Sequence, residues 1–119
     1  MSIPQAVIDT ADERARQDRK WGEQNHPDGT GPDEWVLVGV RAQSVSHLER
    51  LGAHRLAAAA TLATDAAAQA GTVTWSDILL EEVFEALAED DPTTLRNELV
   101  QVAAVAQQWV EAIDRRARG

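Results

Sequence analysis

The sequence predicts an all-α bundle of four to five helices, and three observations carry that prediction. Its apolar content is Ala- and Leu-rich, with four Trp, one Phe and no Tyr, a composition that favours helix over strand. Helix-start signals recur before apolar stripes of three- and four-residue step. No stretch reads as the strict alternation of a strand, and no internal repeat is visible. At 119 residues the chain is expected to form a single domain, residues 1–119, with a modest core.

The elements follow in order. Ser2 and Gln5, with Pro4 between them, predict a capped helix start and a first helix to about Arg19, with Val7, Ile8, Ala11 and Ala15 inward. The stretch "KWGEQNHPDGTGPDEW", residues 20–35, holds three Gly, two Pro, Asn and Asp and reads as a loop of a dozen or so residues, a length usual for functional segments. Pro32, followed by Asp33 and Glu34, predicts the next helix start. Trp35 to Ala70 reads helical throughout, with a break near Gly52 and an end at Gly71. The Ala-rich part, residues 53–70, is expected to pack closely against a neighbouring helix or a second subunit. Thr74 and Asp77 form the next capping box and open a helix to about Glu89. Asp91 as N-cap and Pro92 as first residue open the last helix, to roughly Arg115.

A net charge of −9 argues against a nucleic-acid polymer as partner, because phosphate binding needs locally dominant Lys and Arg. Arg115, Arg116 and Arg118 are the exception, and at a helix C-terminus they complement the dipole. Cysteine is absent, which excludes disulfides and thiolate metal sites. No apolar run approaches the roughly 20 residues that span a bilayer, and the N-terminal stretch turns charged too early for a signal peptide. No membrane association is expected, and a cytoplasmic location is.

The chemistry concentrates in "EEVFEALAEDDPTTLRNELVQ", residues 81–101. Glu82 lies inside the stripe Trp75, Ile78, Leu79, Val83, Ala86, and Glu85 is three residues further on. Glu98 falls between Leu95 and Val102 in a second stripe, Leu95, Leu99, Val102, Val105, Ala106, Trp109, Val110, Ile113. One reading is a solvated acidic face. It fits poorly, because unpaired carboxylates are costly to bury and Arg96 is the only basic residue of these helices before the C-terminal cluster. The other reading is a hard divalent cation with oxygen ligands.

Glu-Glu-Val-Phe-Glu followed by Glu-Leu-Val-Gln on consecutive helices resembles the MazG family of nucleoside triphosphate pyrophosphohydrolases, in particular its phage and actinobacterial MazG-like type. The loop "KWGEQNHPDG", residues 20–29, is similar to the substrate loop after the first helix of that family. The resemblance covers residues 13–31 and 74–112. It implies Mg2+, with Mn2+ as substitute, held by Glu82, Glu85, Glu98 and Gln101. At Gln101 the family carries Asp; an amide oxygen can ligate but brings no charge and cannot act as a base. Glu81 matches the first Glu of the motif, and Glu81 or Glu85 is the candidate to position or deprotonate water. The resemblance also implies a homodimer or homotetramer.

In the loop, Trp21 offers a stacking face, and Gln24, Asn25 and His26 offer polar groups to a base edge. Lys20 and Arg16, or Arg14, are candidates for phosphate oxygens. Each has a plainer reading: Trp21 as a loop anchor, His26 as a loop residue bonded to backbone, the cations as surface. Trp35, Trp75 and Trp109 are expected in a core or interface. His47 and His54 are two helical turns apart, but no third ligand accompanies them and zinc is not expected. The expected activity is therefore Mg-dependent cleavage of a nucleoside triphosphate to monophosphate and pyrophosphate. The alternatives are a non-catalytic nucleotide-binding protein with a weakened metal site, and a helical interaction module.

Overall fold

The computed structural model describes residues 2–23, 25, 31–33, 35–39 and 48–119, the side chains of 35–39 and 48–50 excepted. The described elements are α1 (Gln5–Trp21), β1 (Trp35–Gly39), β2 (Leu48–Gly52), α2 (Ala53–Gln69), α3 (Trp75–Leu87) and α4 (Pro92–Arg118). Four helices account for most of the described residues, so the all-α class stands at that level. The chain divides into two compact units: residues 1–28 with 103–119, and residues 29–102.

In the first unit, α1 begins without the expected capping box. Pro4 occupies the N-cap position with no side-chain bond, and its carbonyl accepts from the Val7 and Ile8 amides at 3.0 and 3.3 Å. Gln5 turns away and donates to Asp9 Oδ1 at 2.8 Å. Ala6 is the buried residue of α1, whereas Ile8, Ala11 and Ala15 are exposed and Val7 half-buried, which corrects the expected inner face. At the other end Gly22, at φ 68°, donates its amide to the Asp18 carbonyl.

In the second unit the helix expected at 35–39 and 48–52 is replaced by a two-stranded antiparallel ribbon, with Trp35 paired to Gly52 and Gly39 to Leu48, and the rest of that expected helix lies outside the described residues. Pro32 therefore opens no helix. Its carbonyl instead accepts from the His54 amide at 3.3 Å and meets His54 Nδ1 at 2.7 Å. Gly31, buried and at φ 141°, donates its amide to the Leu87 carbonyl at 2.9 Å. These bonds tie the end of the long loop to the start of α2 and the end of α3.

α2 keeps the expected start near residue 53 and ends in a Schellman turn. Thr72 N donates to Ala67 O and Gly71 N to Ala68 O, with Gly71 at φ 72°. The Ala-rich helix packs along α3, where small side chains permit a close approach, and Thr64 Oγ1 donates to the Asp77 carbonyl at 3.3 Å. The capping box that opens α3 is complete: Asp77 N donates to Thr74 Oγ1 at 3.2 Å and Thr74 N to Asp77 Oδ2 at 3.1 Å. Asp91 Oδ2 accepts from Thr94 N at 3.0 Å and starts α4 as expected. Among the described residues Ala53, Ala86 and Leu95 are the buried apolar side chains of this unit, while Leu62, Leu99 and Val100 stand 73, 51 and 55 % exposed. Leu99, Ala106, Val110 and Ile113 are exposed along α4, so its expected inward stripe reduces to Leu95, Val102, Val105 and Trp109. No described helix is long and apolar enough to cross a membrane.

Candidate metal centre

The second unit holds the acidic cluster. From the capped start at Thr74, α3 carries Ile78, Leu79 and Val83 half-buried and Ala86 buried, as the stripe predicts. Glu82 and Glu85 share that flank, and α4 presents Glu98 three residues beyond buried Leu95. One carboxylate oxygen from each of Glu82, Glu85 and Glu98 lies within 4.8 Å of the other two, and all three residues are half-buried.

Nothing in the described protein neutralises these charges. The ion pairs found among the described residues, Arg14–Asp18 at 2.8 Å and Arg16–Glu13 at 2.6 Å, both lie within α1. Glu81 Oε2, Glu82 Oε2 and Glu98 Oε2 are buried atoms without a hydrogen-bond partner. Burial, then the charges of Glu98 and Glu81, hold the Glu82 carboxyl above the usual carboxylate range. Glu85 is raised in the same direction by burial, then by Glu82, Glu81, Glu98 and Glu89. Like charges at close range penalise ionisation, and a low-dielectric flank strengthens the penalty.

No protein-family model, curated protein or solved structure matches this chain. The geometry therefore has to carry the site by itself. It brings together Glu82, Glu85 and Glu98, with Glu81 close enough for its charge to act on two of them. Gln101 is exposed on α4, one turn beyond Glu98. Glu89, whose charge also acts on Glu85, is not among the sequence candidates; it lies two residues past Leu87, where α3 ends rather than at the expected Glu89.

The loop candidates belong to the other unit. Trp21 is 56 % exposed, which sets aside its reading as a buried anchor, and Lys20 Nζ stands 4.8 Å from its ring centroid. Asn25 donates to Glu23 Oε2 at 2.9 Å. Arg16 is engaged by Glu13, and Arg14 by Gln17 and Asp18. Gln24, His26 and His47 lie outside the described residues, as does the Trp35 side chain. His54 is held by the Pro32 carbonyl and joins no metal-ligating group among the described residues.

Proposed function

We propose that this protein is a divalent-metal-dependent nucleoside triphosphate pyrophosphohydrolase of MazG-like type. The observation that carries the reading is that one carboxylate oxygen from each of Glu82, Glu85 and Glu98 lies within 4.8 Å of the others, while the ion pairs found among the described residues both lie within α1. The donors fit the ion: all are hard carboxylate oxygens, as Mg2+ and Mn2+ prefer. The unpartnered oxygens of Glu82 and Glu98 are what coordination would satisfy.

In this reading Glu82, Glu85 and Glu98 hold the metal, which when bound offsets phosphate charge and lowers the pKa of water. Water attacks the α-phosphorus, the α–β phosphoanhydride bond breaks, and pyrophosphate leaves with a nucleoside monophosphate as the second product. Glu81 stands outside the triad and is assigned to orient the water and take its proton; Glu85 takes that part if its second oxygen is free. Clearing unwanted nucleotides is the biological use that fits these products.

Gln101 favours a second reading, a nucleotide-binding protein without turnover, since it supplies no charge where the resembled family has Asp. Incubation of the protein with a panel of nucleoside triphosphates and Mg2+, assayed for pyrophosphate, separates the two. Pyrophosphate release above the Glu85→Gln background supports hydrolysis. Nucleotide binding without release supports the second reading, and failure to bind Mg2+ in the presence of nucleotide removes both.

The small buried core and the exposed Leu62, Leu99, Val100 and Ile113 support a homodimer or homotetramer, in which association covers apolar surface that one chain leaves in water. A single monomeric species in sedimentation at micromolar concentration would overturn it.

A further inference from the structure

Glu85 stands in the last turn of α3, just before the helix ends at Leu87. Helix ends fray, so the place of that carboxylate depends on what holds the turn. Three of the turn's carbonyls are met by residues that directly follow the helix. Ala88 N donates to Phe84 O and Glu85 O at 3.1 and 3.3 Å, and Glu89 N to Ala86 O at 3.1 Å. The fourth, Leu87 O, is met from far back in the sequence, by Gly31 N at 2.9 Å. Gly31 is buried, as is Ala86 beside Glu85, and a buried amide without an acceptor would be costly. Pro32 follows, and its carbonyl takes two donors from the first turn of α2: His54 N at 3.3 Å and His54 Nδ1 at 2.7 Å. A carbonyl only accepts, so Nδ1 carries the hydrogen.

We infer that Gly31, Pro32 and His54 form a clamp on the end of α3, through which His54 is a positioning residue for Glu85. The bonds run from the His54 ring to the Pro32 carbonyl and from the adjoining Gly31 amide to Leu87, all inside the unit that holds the three carboxylates. Glu82 lies more than a turn inside α3 and Glu98 well inside α4, so Glu85 is the one of the three whose place depends on a helix end. A ligand loosened there is lost to the site, because coordination tolerates little displacement. The metal role of Glu85 is taken from the proposed function; the clamp itself is not.

The test uses the full chain and begins with amide hydrogen exchange in EDTA. His54→Ala should speed exchange of the Gly31 amide roughly tenfold, the order expected when one supporting hydrogen bond is lost. His54→Asn, whose Nδ2 can donate from the place of Nδ1, should keep the wild-type protection. Mg2+ alone is then titrated by calorimetry. His54→Ala should weaken its binding roughly fivefold, less than the roughly 10–100-fold cost of losing a direct partner of a metal ligand, and His54→Asn should restore it. Thr74→Ala, which loosens the other end of α3, controls for a merely structural effect and should change Mg2+ affinity by less than about twofold, since well-separated sites act independently. Unchanged Gly31 exchange or unchanged Mg2+ affinity in His54→Ala, no rescue by His54→Asn, or equal weakening in Thr74→Ala would each overturn the inference. A wild-type chain that binds no Mg2+ would overturn the metal reading and the role of His54 with it. That failure is distinguishable from failure of the clamp, because exchange in EDTA does not involve the ion.

Discussion

Glu82 on α3 and Glu98 on α4 face each other with unpartnered buried oxygens, and after burial the charge of Glu98 is the largest cause holding the Glu82 carboxyl above its usual range. Two helices are thus brought together at a point of repulsion. Such a contact is relieved either by a proton or by a cation.

The cation gives the first prediction. An ion that binds only the folded state stabilises it by about 2.7 kcal/mol when present at a hundred times its Kd. For a chain of this size that raises the melting midpoint on the order of 10 °C. Thermal denaturation in EDTA and in excess Mg2+ should show the rise, and Glu98→Gln should abolish most of it. An equal rise in the variant would place the ion elsewhere.

Protonation gives the second. Glu82 and Glu85 have folded pKa values raised above 4.5, so between that value and their folded pKa the native state binds more protons than the unfolded chain. Stability from this source is full below pH 4.5 and falls as pH rises through the folded values. Glu13 and Asp91, whose carboxyls are lowered by Arg16 and by the Thr94 amide, act with opposite sign and in a lower window, losing their contribution as pH falls. Urea denaturation in EDTA from pH 4.5 to 7 should therefore show declining stability, with a flatter slope in the double variant E82Q/E85Q. Stability rising with pH over that range would contradict the cluster's electrostatics.

Turnover gives the third. Glu85→Gln and Glu98→Gln should each lower pyrophosphate release by about 100-fold or more, since loss of even an outer-shell partner of a metal ligand costs roughly 10–100-fold. Gln101→Asp, which restores the charge the resembled family carries at that position, should raise it, and no change would give Gln101 another role. Steady-state assays at saturating Mg2+ decide both.

Local structure gives the fourth. Thr74→Ala removes the side chain that accepts from the Asp77 amide and should cost about 1 kcal/mol. Gly71→Ala forces an L-residue to φ 72° and should cost about 1–2 kcal/mol. Equilibrium urea unfolding reads both, and a neutral Gly71→Ala would argue against the Schellman turn.

What was legible before folding follows from range. The start of α3 was readable because Thr74 and Asp77 satisfy each other within one turn, and Asp91 does the same for α4. The end of α2 was readable because Gly71 takes a backbone conformation that other residues avoid. The ribbon was missed although Trp35, Val36 and Val38 favour strand, because the stretch also continued a helical pattern and Pro32 imitated a helix start. What makes it a strand is a partner distant in sequence, Trp35 to Gly52, and no local pattern reports such a pairing.

By itself, then, the sequence determined the predominance of helix, the starts of α3 and α4, the end of α2 and the presence of acidic residues on flanks that are partly buried, since caps and stripes involve groups a few residues apart. Only tertiary structure decided that Glu82, Glu85 and Glu98 meet within 4.8 Å, and that Pro32 and Gly31 brace α2 and α3 rather than begin a helix. Those outcomes depend on separations between groups many residues apart, which are set by how whole elements pack.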